Sequence, residues 1–209
     1  KKFYKLKNQF KEIGVFCPLA DKEKFDVCIS KYQTLHLAEK LKVPVPKTIL
    51  LNKNNIKNTI KEMQYPCVLK AEQEIGGSIV KYISRPSEIQ CTLDQTLNEY
   101  PNMVISDFLL QEYIKGEGYG FFAVYNKGKC GATFQHRRLR EMPPSGGHSV
   151  SAESVFDNQL MEYGKKILDE IKWHGVGMVE FKKTSKGDFV LMEVNPKFWG
   201  SLDLALEAG

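Results

Sequence analysis

The sequence predicts an α+β protein of two lobes. Short apolar runs of strand length, joined by turns, are interspersed with longer runs in which apolar residues recur at helical spacing. Two of the strand-length runs, 176–182 and 188–194, flank a short polar turn and form the clearest hairpin. Gly116, Gly118 and Gly120 lie between two apolar runs and predict a flexible joint.

The first 30 residues are rich in lysine, and their apolar residues show neither helical nor strand periodicity. The rest of the first half has patterns that predict helices and strands. Apolar residues at helical spacing predict a helix over 31–41, which Pro44 and Pro46 prevent from continuing. The apolar run 65–70 predicts a strand that ends on Lys70. The other predicted elements of this half are strands over 48–51, 79–83 and 103–114 and helices over 54–63 and 86–97.

The second half begins with a predicted strand over 121–125 and a hairpin turn over 126–129. The run 143–147, Pro-Pro-Ser-Gly-Gly, predicts a loop. Asp157 is placed to cap a helix that extends to Trp173, and the hairpin follows that helix.

Composition argues against several classes of protein. The hydrophobic fraction of 42% fits a globular protein, and no apolar run approaches the roughly 20 residues of a membrane-spanning helix. The net charge of +5 is spread over 30 basic and 25 acidic residues, so neither nucleic acid nor membrane is an expected partner. Five cysteines without a CxxC pair argue against disulfides and zinc, and indicate a cytoplasmic protein.

The predicted hairpin places two glutamates opposite each other. If residues 186–187 form a two-residue turn, the register pairs Glu180 with Glu193, and Asn195 shares the face of Glu193. Like charges placed opposite each other destabilise a sheet by up to ~1 kcal/mol, and a bound cation removes that cost. Two carboxylates and an amide oxygen suit Mg²⁺, which keeps substrate phosphates among its other ligands. The alternative is a solvated hairpin face with two unrelated acids.

A second candidate segment lies in the first half. Lys70 ends an apolar strand, where a buried lysine requires an anion nearby. The turn that contains Gly77 and Ser78 offers backbone N–H groups to phosphates. The alternatives are a strand-end lysine that reaches water and an ordinary turn.

A third candidate segment leads into the predicted joint. Gln111, Glu112, Tyr113 and Ile114 offer an apolar slot and backbone hydrogen bonds to an adenine ring, and Glu117 is a candidate partner for a ribose hydroxyl. The alternative is a core strand followed by a surface glutamate.

Three arginines precede the Pro-Pro-Ser-Gly-Gly loop. If residues 134–140 form a strand, Arg138 and Arg140 share a face and Arg137 takes the other. Arginine binds phosphate bidentately and disperses developing charge, although a solvated basic edge strand is the alternative. The four histidines lack the spacing of a metal or triad set, so we interpret them as structural.

Together these residues resemble the ATP-grasp superfamily. The resemblance covers about residues 14–209. Lys31 resembles the first phosphate-binding lysine of the family. Gly118 stands at the position where many members of the family have a ribose-binding glutamate. The run from Asn195 to Ser201 is similar to predicted ATP-dependent carboligases and to carbamoyl-phosphate synthase large-subunit modules. Further matching segments are Val43–Thr48, Pro66–Lys70, Gln111–Gly116, His136–Glu141, Val179–Phe181 and Met192–Pro196.

The resemblance implies a ligase that uses ATP and Mg²⁺, with Mn²⁺ as the alternative metal. It would activate a small carboxylate as an acyl phosphate for attack by an amine or similar nucleophile, and a non-catalytic nucleotide-binding module of a larger protein is the alternative. The implied lobes are 31–115 and 116–209, with 1–30 as the remnant of a preceding domain or a linker. The implied roles are phosphate binding by Lys31 and Lys70, metal binding by Glu180, Glu193 and Asn195, and catalysis by Arg138, Arg140 and Asn195.

Overall fold

Two antiparallel β-sheets form the centre of the molecule, in agreement with the predicted α+β class. The computed structural model describes residues 6, 9–15, 19–73, 79–142 and 147–209, apart from the side chains of Lys57 and His148. The helices and strands of this part that the text uses are α1 (Lys22–Ile29), α2 (Lys31–Lys40), α3 (Ile56–Glu62), α4 (Ile89–Glu99), α5 (Asn158–Glu170), α6 (Leu202–Glu207), β1 (Thr48–Leu50), β2 (Cys67–Ala71), β3 (Val80–Ile83), β4 (Phe108–Glu112), β5 (Gly116–Asn126), β6 (Lys129–Met142), β7 (His148–Ser154), β8 (Gly175–Thr184) and β9 (Phe189–Asn195).

The first sheet has four strands in the order β1-β4-β2-β3. Alternation along β2 buries Cys67 and Leu69 in an apolar cluster with Ile89 and Leu93 of α4. The other face of β2 carries Lys70, which lines a cleft between the two sheets. One face of this sheet is therefore core, and the other is available for binding.

The second sheet has five strands in the order β7-β6-β5-β8-β9. Tyr119 and Phe121 of β5 lie in its apolar core, where α2 and α5 also pack. A Cβ atom on Gly164 of α5 would lie 2.2 Å from Phe121 Cδ1, so glycine permits the close helix–strand contact. The helix α2, which the predicted division counts with the first lobe, thus packs on the second sheet. The predicted lobe boundary at residues 115 and 116 stays a prediction.

Two helices begin at side-chain caps, of which the sequence predicts the one at Asp157. The Asp157 carboxylate accepts hydrogen bonds from Gln159 N at 3.0 Å and Leu160 N at 3.3 Å, which confirms the predicted cap of α5. Ser30 Oγ caps α2 by accepting a hydrogen bond from Gln33 N at 3.1 Å. None of the described helices combines the length and the apolar character needed to cross a membrane.

The flexible joint predicted at Gly116, Gly118 and Gly120 is wrong, because these glycines belong to the 11-residue strand β5. Tyr119, between two of these glycines, is buried in the core, and a Cβ on Gly116 would lie 2.4 Å from Lys183 O of β8. The glycines therefore serve close packing along one face of the sheet. Residues 113–115, between β4 and β5, form the short irregular connection instead.

The strand predicted over 103–114 is shorter in the structure, where β4 begins at Phe108. The Asp107 carboxylate accepts a hydrogen bond from Val104 N at 2.8 Å and stabilises a turn of 3-10 helix ahead of the strand. Helix α1 and strand β7 were not predicted. The turn that contains Gly77 and Ser78, and residues 143–146 of the predicted loop, lie outside the described residues.

Candidate functional site

The predicted pairing of Glu180 with Glu193 is confirmed, but the turn of the hairpin differs from the predicted one. Thr184 N donates to Asp188 O at 2.9 Å, so the turn has three residues rather than two. That turn alone shifts the register by one residue. A β-bulge after Glu180, at which Met192 is the extra residue, shifts it back. The turn prediction is therefore wrong, and the bulge restores the facing carboxylates.

The two carboxylates share one amide group. Asn195 Nδ2 donates hydrogen bonds to Glu180 Oε1 at 2.9 Å and to Glu193 Oε1 at 2.8 Å. Lys31 Nζ, on the first turn of α2, lies 3.6 Å from Glu193 Oε2. The sheet and the helix thus bring three of the predicted site residues together with Lys31.

The surroundings of the two glutamates shift their pKa values in opposite directions. Burial and then the charge of Glu193 raise the pKa of Glu180. Burial also opposes ionisation of Glu193, but Lys31, the Asn195 amide and Lys70 together lower its pKa. Glu193 is therefore the more readily ionised member of the pair, and its charge makes ionisation of Glu180 costly.

The pair has the chemistry of a site for a hard divalent cation. A cation between the oxygens of Glu180 and Glu193 would remove the repulsion that raises the pKa of Glu180. No group of three or more His, Cys, Asp or Glu side chains with metal-site geometry occurs among the described residues, so the protein offers two carboxylates and the amide of Asn195. Such a small set fits a cation that takes further ligands from phosphates and water.

Arg138 reaches the carboxylate pair across strand β5. Its guanidinium donates to Glu180 Oε2, to Glu141 Oε1 at 3.2 Å and to Gly147 O at 3.3 Å. A Cβ on Gly118 would lie 2.7 Å from Arg138 Cδ, so the absence of a side chain there opens the path. Gly118 therefore makes room for a cationic side chain beside the acidic pair.

The expectation that Arg138 and Arg140 share a face is wrong. A β-bulge in β6 pairs Arg138 with Ala152 and Arg140 with Ser151, so the alternation slips between the two arginines. Arg140 is exposed, and it is not among the described residues that line the cleft. Glu141 takes the place beside Arg138 instead.

Glu117 lies on the opposite face of β5 from the cleft. It alternates with the cleft-side glycines, shares the face of Tyr119 and Phe121, and has a side chain that is 62% exposed. Its carboxylate is 3.6 Å from Arg137 Nη1. Glu117 therefore points away from the cleft in which the expected ribose would lie, and Gly118 on the cleft face has no side chain to replace it.

Lys70 projects from the first sheet towards the acidic pair. Its Nζ donates to Gln111 Oε1 at 2.8 Å, and Gln111 Nε2 donates to Thr48 Oγ1 at 3.1 Å. Burial lowers the pKa of Lys70 to about 8, and Glu193 opposes that effect. Gln111, which was predicted to face the nucleotide base, thus holds Lys70 in place with its side chain.

The cleft between the sheets has a volume of about 740 Å³. At the end near the connection 113–115, most of the lining side chains are apolar or aromatic. Lys182 Nζ lies 5.6 Å from the centroid of the Tyr113 ring. Sequence reasoning missed Lys182, although it alternates with Glu180 on β8 and so shares its face. The residues that line this end include Val68, Val80, Tyr82, Glu112, Tyr113, Ile114, Lys182 and Met192.

His136 lines the other end of the cleft, next to Arg138. Its Nδ1 lies 2.8 Å from Ser201 Oγ, and its ring packs edge-on against Phe122 at 4.6 Å between centroids. Burial, and then the charge of Arg138, lower the pKa of His136 to about 4, so the ring is neutral at neutral pH. The spacing of two residues from Arg138 on β6 was the sequence signal for this position.

The charges that line the cleft are nearly balanced. Its described residues include five basic and four acidic side chains, so the walls carry a small net positive charge. This balance suits an anion that arrives together with a cation. The basic side chains are Lys31, Lys70, Arg138, Lys182 and Lys197, and the acidic ones are Glu112, Glu141, Glu180 and Glu193.

Comparison with known proteins adds relatives at low sequence identity. No protein-family model matches the chain. The 2-oxoglutarate carboxylase small subunit of Hydrogenobacter thermophilus is 24% identical over 166 residues, which are 74% of this chain and 34% of that subunit. The chain thus spans about a third of the length of this relative.

Solved structures share the fold. The complex of Campylobacter jejuni biotin carboxylase with β,γ-ATP matches with a TM-score of 0.78 and 16% identity, over 96% of this chain and 47% of that one. The biotin carboxylase domain of Hydrogenobacter thermophilus 2-oxoglutarate carboxylase, in complex with MgADP, ADP and bicarbonate, matches with a TM-score of 0.74 and 19% identity, over 94% of this chain and 46% of that one. In both structures the shared fold covers slightly less than half of the neighbour.

Proposed function

We propose that this chain, which has the ATP-grasp fold of its structural neighbours, binds ATP with Mg²⁺ and uses it to activate a carboxylate. The observation that carries the proposal is the facing pair Glu180 and Glu193, which lies in one cleft with Lys31 and Lys70. Two carboxylates that repel each other and two lysines fit a triphosphate that brings its own divalent cation.

The nucleotide is proposed to lie along the cleft with its base next to residues 113–115. Apolar side chains from both sheets suit a purine ring, and the backbone of Tyr113 and Ile114 supplies its edge contacts. Glu112 is less suited to a base, because its carboxylate accepts a hydrogen bond from Lys47 N at 3.1 Å. Gly77 and Ser78 stay in the proposal as phosphate contacts on the sequence evidence alone.

The phosphates are proposed to lie between Lys70 and the acidic pair. Glu180, Glu193 and the amide oxygen of Asn195 would hold the metal, and the Asn195 amide would turn to present that oxygen. Mg²⁺, when bound, neutralises the β- and γ-phosphate charge during phosphoryl transfer, and Mn²⁺ is the alternative ion. Lys31 and Lys70 would bind phosphate oxygens as point charges.

Chemistry is proposed at the γ-phosphate. A carboxylate oxygen of the substrate attacks that phosphorus, ADP leaves, and an acyl phosphate forms. An amine or similar nucleophile then attacks the acyl carbon and releases inorganic phosphate. Arg138 would orient the carboxylate and offset the charge that develops on the transferred group. It also donates to Gly147 O, at the end of the Pro-Pro-Ser-Gly-Gly run.

The finer assignment is a C–N ligase similar to carbamoyl-phosphate synthase. The sequence from Asn195 to Ser201 supports it, together with the arginine run of β6. Lys197 stands where that group usually has arginine, which leaves one charge and removes the bidentate contact. Bicarbonate is present in the complex of the 2-oxoglutarate carboxylase domain, and that ligand belongs to the same chemical class as a small carboxylate.

Titration calorimetry with ATP tests the first step. We expect binding in the presence of Mg²⁺ and at least about tenfold weaker binding in EDTA, because the phosphates then meet the acidic pair without a cation. Equal affinity under both conditions would contradict the proposed metal site. An assay of ADP release over a panel of carboxylates and amines tests the second step. Tight binding of MgATP without ADP release from any pair would favour the non-catalytic nucleotide-binding module.

A further inference from the structure

The cleft has a linear order that is set by strand β8. Lys182, Glu180 and Met178 share its cleft face, at successive intervals of about 6.6 Å. Lys182 lies at the end where Tyr113 forms the proposed base site, and Glu180 marks the proposed phosphates. The Met178 end therefore lies beyond the phosphates, on the side where a group that accepts the γ-phosphoryl would have to sit.

Two aromatic residues, Phe198 and Trp199, line this far end. The buried Phe122 pairs with Met178 across β5 and β8 and supports Trp199 from behind, with 4.5 Å between the two ring centroids. Phe198 lines the cleft beside Trp199, and the residue Phe198 is 64% exposed. A ligand with an apolar body would cover Phe198 and Trp199, whereas a small polar anion would leave their exposed surface in water.

Two buried polar atoms lie among these rings without a hydrogen-bond partner in the described part of the chain: His136 Nε2 and Trp199 Nε1. His136 is 3% exposed, and its other ring nitrogen is occupied by Ser201. An unpaired buried polar atom is costly, and a bound ligand with a polar group would reduce that cost. Arg138, two residues from His136 on β6, supplies the positive charge for a carboxylate.

We infer that the pocket of His136, Met178, Phe198 and Trp199 binds the carboxylate substrate and selects a carboxylic acid with an apolar body over hydrogencarbonate. This inference rests on the proposed function, since it names the substrate class of the same cleft. The carboxylate would meet Arg138 beside the γ-phosphate, and the apolar body would lie on Trp199 and Phe198. Hydrogencarbonate has the anionic head alone, so it gains nothing from these rings.

Calorimetry with three probes tests the inference: benzoate, acetate and hydrogencarbonate, each titrated into protein saturated with Mg²⁺ and a non-hydrolysable ATP analogue. We expect benzoate to bind at least about tenfold more tightly than either of the other two, because only its ring covers the aromatic walls. Acetate or hydrogencarbonate binding as tightly as benzoate would overturn the inference. The ranking uses the unaltered chain, so it does not depend on how a variant folds.

The variant Trp199→Ala tests the pocket itself. It should remove most of the preference for benzoate and change the affinity for the ATP analogue by less than about twofold, because the indole lies beyond the phosphates. Phe156→Ala is the matched control, since Phe156 is 73% exposed away from the cleft, and the preference should survive there. A preference that persists in Trp199→Ala would overturn the pocket assignment. If the analogue does not bind to the unaltered chain, the proposed function fails as well, so the two failures are distinguishable.

Discussion

The two walls of the cleft use different physical means of binding. The first sheet presents apolar side chains, such as Val68 and Val80, and two charged ones, Lys70 and Glu112. The second sheet presents Glu180 and Glu193 together with several cationic side chains. One wall is therefore suited to the shape of a flat ring, and the other to the charges of phosphates and a metal.

This difference predicts where substitutions have the largest effects. Charges on the second wall are held in pairs, as in Arg138 with Glu180 and Lys31 with Glu193. Removal of one partner leaves the other charge partly buried and uncompensated, which costs more than the loss of an exposed pair. Substitutions on the second wall should therefore be more damaging to binding than those on the first.

Substitution of Glu193 by Gln should have the largest effect. The amide keeps the size of the side chain, removes the more readily ionised carboxylate and leaves Lys31 without its partner. We expect the affinity for ATP in Mg²⁺ to fall about 100-fold, to nearly the value in EDTA. The reason is that a divalent cation stabilises the phosphate charge by several kcal/mol, and the variant loses one of the two carboxylates that would hold it. Calorimetry at both conditions measures this. Glu170→Gln, exposed at the end of α5, is the control, and a single cooperative melting transition would show that Glu193→Gln is folded. An undiminished response to Mg²⁺ in Glu193→Gln would contradict the site.

Much of this wall could be predicted from the sequence, since alternation alone places Asn195 beside Glu193. The turn and bulge that bring Glu180 opposite Glu193 could not be predicted. The sequence predicts a two-residue turn, whereas the chain makes a three-residue turn and a bulge at Met192. Two one-residue shifts cancel, and neither is visible in a hydrophobic pattern that both registers satisfy. The pair was predicted correctly from an incorrect turn.

Arg138 and Arg140 allow a buried and an exposed arginine of the same strand to be compared. Arg138→Ala should lower the affinity for MgATP about tenfold, because Glu180 loses its charged hydrogen-bond partner and its pKa rises further. Arg140→Ala removes the same charge from an exposed position and should change the affinity less than about twofold. Calorimetry on the two variants at one ionic strength makes the measurement. Equal losses would mean that the charge of β6 acts at long range and that its bulge is unimportant.

Lys70 tests the first wall through pH. Burial lowers its pKa to about 8, so in the free protein it is protonated below that pH and loses its charge as the pH rises through it. A phosphate requires the protonated amine, and the affinity for MgATP should therefore fall about tenfold between pH 7 and pH 9. Calorimetry across this range should show the fall in the unaltered chain.

Lys70→Met is the variant that assigns this pH dependence. It should bind MgATP more weakly at pH 7 and show a nearly flat profile, because methionine keeps the length of the side chain without the charge. Lys81→Met is the matched control on the same sheet, since Lys81 pairs with Glu99 at 2.8 Å near the surface. A fall with pH that persists in Lys70→Met would assign the titration to another group.

Substitution of Glu117 should have the smallest effect on MgATP affinity. At this residue the position expected from the sequence and the position in the structure differ most clearly. The resemblance made it a substitute for a ribose-binding glutamate, but the three glycines of β5 are in a strand, so Glu117 points away from the cleft. Arg137, its partner at 3.6 Å, keeps a hydrogen-bonded contact with Glu153 at 2.6 Å when Glu117 is neutralised. Glu117→Gln should therefore change the free energy of unfolding by less than about 1 kcal/mol, as expected of an exposed pair, and the affinity for MgATP by less than about twofold. Denaturant unfolding and calorimetry measure the two quantities. A tenfold loss of MgATP affinity would place Glu117 on the cleft face, which requires a one-residue shift of β5 and would also remove Gly118 from the path of Arg138.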